Sequence, residues 1–245
     1  KEYLKSITAY KKIVDSEGAS ADYAQYQIAM SYGFLEKNTA KISTLENLLN
    51  KYELSNFKDD ALFQLGNTYS IIKDNKNAHL AYNKLIKNFP KSSYIPRTLL
   101  RDGLLFYNDN ENKKALKNYK EIVVKYPNSS EAREAVRNAK NVYVDMGTVD
   151  EYANWVKGIS FINITDAELD NTTYEAGENK FLENNVPKAI EGFKKYIVAF
   201  PEGLHALQAN FYLAELLVKI GSEKEAIPNY QYVVNQPQSE FSEQA

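Results

Sequence analysis

The chain has 245 residues, with 30 basic side chains against 32 acidic ones and a formal net charge of −2. It therefore lacks both the wholesale basic surface of a charge-driven nucleic-acid binder and the acid excess of a disordered tail. The absence of cysteine excludes disulfides, thiol nucleophiles and cysteine-type zinc sites, and aromatic residues are abundant at 13%.

In chain order, residues 1–18 place Ile7, Tyr10 and Ile13 on one helical face and predict a single helix. From Asp22, the residues Ile28, Ala29 and Tyr32, then Leu45 and Leu48, predict two amphipathic helices. The pattern is fullest from Asp59. Leu62, Leu65, Gly66 and Tyr69 form one face, the polar run at 73–77 interrupts it, and Ala78, Ala81, Tyr82, Leu85, Ile86 and Phe89 form a second. Pro90 ends that helix, because its ring cannot continue one.

The same register restarts at Pro96, 37 residues after Asp59, with Leu99, Gly103, Phe106, Ala115, Tyr119 and Pro127 at matching places. It restarts at Arg133 (Ala139, Tyr143, Val156, Ile159), where Thr148 and Glu151 have capping-box spacing ahead of the second helix. Before the start at Asp170 (Gly177, Ala189, Phe193, Pro201), residues 163–170 form an enlarged connection, and Thr165 with Glu168 predicts an early helix start. In that unit the first-helix aromatic is displaced by one, to Phe181. The last start is Leu207 (Leu213, Ala214, Ala226, Tyr230), with Pro228 expected to bend its second helix. The units at 22 and 133 lack both the glycine and the proline.

A small residue where two helices touch, an aromatic three later, alanine and an aromatic in the second helix, then proline: this unit resembles the tetratricopeptide repeat (TPR). The resemblance implies an all-α fold, a right-handed superhelical solenoid of about six and a half helix–turn–helix units with a 37-residue period. It is expected to be one domain over 1–245, with a half unit at 1–18 and starts near 22, 59, 96, 133, 170 and 207, cut from a longer protein. Residues recurring between units, such as Gly66, Gly103, Tyr69, Tyr82, Tyr119 and Phe193, are expected in the core.

In this family the first helices line a concave groove. The register it implies here gives Tyr23, Tyr26, Met30 and Phe34, then Asp60, Phe63, Asn67, Ser70 and Ile71, then Arg97, Leu100, Leu104, Tyr107 and Asn108, then Glu134, Arg137, Asn141, Val144 and Asp145. Further on, the same register gives Tyr174 and Phe211. The first three sets are apolar for a surface facing water, and aromatic anchors suit a peptide or helix lying in a groove. The basic/asparagine clamp by which some TPR domains hold a C-terminal carboxylate is interrupted, since Phe63 and Leu104 stand at its basic and asparagine positions.

Nothing in the sequence carries catalysis: no phosphate loop, HExxH or Gly-x-Ser-x-Gly occurs. The two histidines, His79 and His205, are expected to be exposed, and no metal or cofactor is expected. Lysines 113, 114, 117, 120 and 125 make a locally basic helix, but Glu111 and Glu121 interleave and the lysine face lacks aromatics for base stacking. No nucleic-acid partner is expected, and no apolar run approaches the ~18 residues of a membrane span.

The joints Asn-Phe-Pro-Lys-Ser-Ser-Tyr (88–94), Lys-Tyr-Pro-Asn-Ser-Ser-Glu (125–131) and Ala-Phe-Pro-Glu-Gly-Leu-His (199–205) are similar to those of bacterial cell-envelope TPR proteins of the TolA-binding and outer-membrane assembly kinds. The run of units also resembles large Bacteroidetes TPR proteins. The favoured expectation is a non-catalytic scaffold binding a protein or peptide in the groove, in a periplasmic or outer-membrane-associated complex. The chain opens Lys1-Glu2-Tyr3 without an initiator methionine, so a signal sequence or membrane attachment would lie ahead of it. The alternatives are a cytoplasmic location, a SusD-like carbohydrate-binding protein, or the regulatory arm of an enzyme lying outside this chain.

Overall fold

A computed structural model describes residues 2–237, 241 and 244. Among them are thirteen α-helices and no strand. The chain divides into two compact units, residues 1–132 and 133–245.

In the first unit a single helix, α1 (Glu2–Asp15), precedes three antiparallel pairs. These are α2 (Ala21–Phe34) with α3 (Asn38–Lys51), α4 (Lys58–Ile71) with α5 (Asn75–Asn88), and α6 (Ile95–Asn108) with α7 (Asn112–Lys125). The first helices begin one residue before the starts at 22, 59 and 96. In the second unit α8 (Ser130–Met146, its first turn in the first unit) is followed by α9 (Val149–Lys157), α10 (Asp166–Leu182) with α11 (Val186–Ala199), and α12 (Ala206–Lys219) with α13 (Glu223–Val234).

Close approach within a pair requires glycine. A Cβ on Gly103 would lie 2.6 Å from the Tyr119 ring, and one on Gly66 would run into the Tyr82 ring. Those rings fill the space: Tyr82, Tyr119, Tyr143 and Phe193 are fully buried, as the repeat register predicts. Tyr69 is only half-buried, its hydroxyl donating to Glu46 at 2.7 Å.

Each turn inside a pair has the same geometry. Residues 36, 73, 110, 147, 184 and 221 all adopt left-handed backbone conformations, and they stand 37 apart. In each, the following N–H reaches the carbonyl five residues back: Lys37 to Tyr32, Asp74 to Tyr69, Glu111 to Phe106, Thr148 to Tyr143, Asn185 to Lys180 and Ser222 to Leu217. This is the Schellman arrangement, which satisfies orphan carbonyls at a helix end. Only Gly147 and Gly221 are glycines, so the period persists through turns whose residues do not announce it.

The caps divide. Thr165 and Glu168 form the reciprocal capping box and start α10 early. Thr148 does precede α9, but its side chain makes no cap bond and its hydroxyl is buried without a partner, so the second predicted box is not formed. Helix α9 spans nine residues, against fourteen in each of α3, α5, α7 and α11. Helix α13 continues through Pro228 for twelve residues.

Candidate functional site

The groove-register residues of the first unit lie on α2, α4 and α6, and the structure separates them by exposure. Phe34 is 68% exposed at the end of α2, and Ile71, one period later at the end of α4, is 67% exposed. Leu104 on α6 and Tyr23 on α2 are also exposed. Tyr26, Met30, Asn67 and Tyr107 are half-buried. Met30 packs on the core formed by Ala29, Leu45, Leu48, Ala61, Leu65 and Ala81. Asn67 accepts a hydrogen bond from the Tyr82 hydroxyl at 2.9 Å, so its carbonyl serves the core.

Phe63 and Leu100 are corrections. Both belong to the core, and as buried side chains they offer a partner nothing to touch. At Phe63 the cause is a residue of the next repeat that the groove register does not contain. Phe57, which caps α4, stacks on Tyr26 with ring centroids 5.5 Å apart, and Tyr94, which caps α6, stacks on Phe63 at 4.8 Å. His205, which caps α12, stacks on Tyr174 at 4.2 Å in the second unit. In every case the covering ring stands 31 positions after the covered one. The residue just before α4, α6 and α12 thus folds over the aromatic of a first helix one repeat earlier. Tyr174 and Phe211 are buried as well. The signal was in the sequence: an aromatic or histidine at 57, 94 and 205, on the 37-residue lattice.

Asp60 ties two of these stacks together. Its Oδ1 accepts from the Tyr94 hydroxyl at 2.5 Å and from the Tyr26 hydroxyl at 3.4 Å. The hydrogen bond to Asp60, with burial and the carboxylate charge behind it, pushes the Tyr94 pKa up to about 12. Burial and the same carboxylate push the Tyr26 hydroxyl up as well. The pair donates to Asp60 at any ordinary pH and braces α2, α4 and α6 against each other.

In the second unit Arg137 and Asn141 are exposed on α8, one turn apart. Both histidines depart from the exposed expectation. His79 sits on α5 with Nδ1 2.5 Å from Asp102 Oδ1, Nε2 3.7 Å from Asp109 and its ring stacked on Phe106. Buried Asp102 also accepts from the Asn118 side chain at 2.8 Å. His205 Nε2 lies 2.7 Å from Asn171 Oδ1, and its backbone N–H donates to the Tyr196 hydroxyl. Each histidine bridges two helices and has its partners within the fold. Among the described residues no group of three His, Asp or Glu side chains could hold a metal, and no helix is long and apolar enough to cross a membrane.

Residues 23–55, 60–92 and 97–129 each match the family model described as tetratricopeptide repeat, and these matches also start 37 residues apart. A tetratricopeptide repeat protein from Parabacteroides merdae is similar in structure, with 14% identity, TM-score 0.53, and coverage of 91% of this chain and 82% of that one. The C-terminal part of a TPR repeat-containing protein from Cytophaga hutchinsonii is similar over 99% of this chain and 94% of that one, at 13% identity and TM-score 0.54. YrrB, a TPR protein with an unusual peptide-binding site, covers 82% of this chain and 97% of its own at 19% identity and TM-score 0.50. At these identities the likeness concerns the fold alone. No curated protein sequence matches the chain.

Proposed function

We propose that this chain, a member of the tetratricopeptide repeat family, is a non-catalytic protein-interaction scaffold that takes a peptide or helix on the first-helix face of residues 1–132. The observation that carries this reading is the recurrence of a large exposed apolar side chain at one register: Phe34 and Ile71, with Leu104 exposed on the next first helix. Leaving such side chains in water costs about 1.5–3 kcal/mol each relative to burial, and contiguous exposed apolar surface marks interaction sites. Tyr23, Tyr26 and Tyr107 flank them with rings that are partly accessible. A carbohydrate platform needs an open row of rings, and the burial of Phe63, Tyr174 and Phe211 favours the peptide reading over that alternative. A bacterial cell-envelope setting, periplasmic or outer-membrane-associated, belongs to the same proposal and rests on the Phe/Tyr-Pro joints at 89–90, 126–127 and 200–201.

The test is selection of binding peptides from a displayed library, followed by titration of the best binder. Phe34→Asp and Ile71→Asp are each expected to weaken binding about ten-fold or more, as truncating an interface anchor does, at unchanged melting temperature. Binders that ignore both substitutions would sink the reading.

A further inference from the structure

Within residues 133–245 a cleft of about 640 Å3 lies between α9 and α11, with α10 as its floor. Its floor and one wall have a counterpart three periods earlier, in a cleft of about 690 Å3 among α3, α4 and α5. The two can be compared position by position, 111 residues apart, and the differences are directional. At the end next to the α10–α11 turn, Lys180 and Lys188 replace Tyr69 and Asn77. At the opposite end, Leu169 and Ala199 replace Lys58 and Asn88. Along the floor, Ala176 replaces Leu65 and frees space, while Gly192, in place of Ala81, lets α11 approach the Gly177 backbone of α10 closely. The second cleft is cationic at one end and apolar at the other, which the first is not.

The earlier cleft is also crossed by its own chain, the Tyr69 hydroxyl donating to Glu46. The counterpart Lys180 instead pairs with Glu183 at the end of its own helix, at 3.0 Å. The remaining wall is the short α9, which contributes Val149, Asp150, the small Ala153 and Lys157. Five lysines line this cleft against three carboxylates, in a chain whose net charge is −2. Of the three, Glu191 is paired with Lys195 at 2.8 Å, while Asp145 and Asp150 stand on the wall opposite. Lys188 makes no ion pair within 4 Å among the described residues, although its charge acts on Glu191 one turn further along α11. The volume falls in the range of small-ligand sites, roughly 300–1,000 Å3.

We infer that this cleft binds a straight-chain amphipathic carboxylate. The head lies at Lys180 and Lys188, and the tail runs along Ala176 and Ala153 to Leu169, Val198 and Phe200. This goes beyond the scaffold reading: it concerns another unit and another class of ligand.

The test is calorimetric titration of the whole chain with dodecanoate below its micellar concentration. Dodecyltrimethylammonium supplies the same tail with the opposite head, and acetate supplies a head without the tail. Dodecanoate is expected to bind one site, at least about ten-fold tighter than either control. Lys188→Glu is expected to weaken it by about ten-fold or more, since a charge next to the head is reversed. Ala153→Trp is expected to abolish binding by filling the cleft; Val198→Asp, at an 84% exposed position, serves the same end should that variant not fold. Phe34→Asp is expected to leave dodecanoate binding unchanged, which separates this test from that of the peptide face. The inference is overturned by no saturable heat, by equal affinity for the cationic control, or by binding that survives both the Lys188 and the cleft-filling substitutions.

Discussion

At the scale of single residues, the chain uses identical chemistry for opposite ends, and burial decides which. Phe63 and Phe34 are both phenylalanines on the groove register and each stacks on a tyrosine, yet Phe63 is buried under Tyr94 whereas Phe34, beside the exposed Tyr3, keeps 68% of its surface in water. The core glycines were legible in the sequence because their spacing to a partner aromatic is fixed: Gly66 to Tyr82 and Gly103 to Tyr119, sixteen residues in each case. Gly66→Ala is expected to cost about 1–3 kcal/mol through overpacking against Tyr82, measurable in a urea titration. His79 was not legible, because its partner Asp102 lies on the next helix pair. Burial draws the His79 pKa down, but the Asp102 and Asp109 carboxylates draw it up further, and the net shift is upward. A proton held more tightly by the folded chain stabilises it below the unfolded pKa of about 6.5, and that contribution is lost as pH rises through the folded value. The urea midpoint is therefore expected to fall as pH rises above about 6.5, with part of that fall removed by His79→Gln.

At the scale of elements, the helices follow from amphipathic periodicity, whereas their turns follow from geometry that the residue types conceal. Glu36, Lys73, Asn110 and Asn184 occupy left-handed positions that glycine fills more readily, as it does at 147 and 221. Lys73→Gly is expected to raise stability by a few tenths to about 1 kcal/mol and Gly221→Ala to lower it by about 1 kcal/mol, both read from thermal melts. The capping boxes show the complementary lesson. Thr165 with Glu168 and Thr148 with Glu151 look alike in sequence, but Thr148 already follows the Gly147 turn that closes α8, and its hydroxyl is buried without a partner. Thr165→Ala is expected to cost about 1 kcal/mol, and Thr148→Ala much less. Helix α9 stops at Lys157, five residues short of its equivalents, where residues 158–165 break the helical pattern.

At the scale of the whole molecule, the 37-residue lattice is the property that the sequence and the structure share most completely. The family model covers the units at 22, 59 and 96, the last two of which carry the fullest sequence pattern. The left-handed turns at 147, 184 and 221 extend the same step through the rest of the chain. What the lattice could not supply was accessibility, because the residue that covers a groove aromatic lies in the next repeat and has to be folded over it to be noticed. The central claim is that only the uncovered part of the register meets a partner. Hydroxyl-radical labelling of the free chain and of the chain saturated with a selected peptide tests this residue by residue. Phe34, Tyr23, Ile71 and Leu104 are expected to label in the free chain and to be protected by the peptide, while Phe63 and Leu100 stay unlabelled in both. Strong labelling of Phe63 or Leu100 in the free chain, or protection that spares Phe34 and Ile71, would contradict the account.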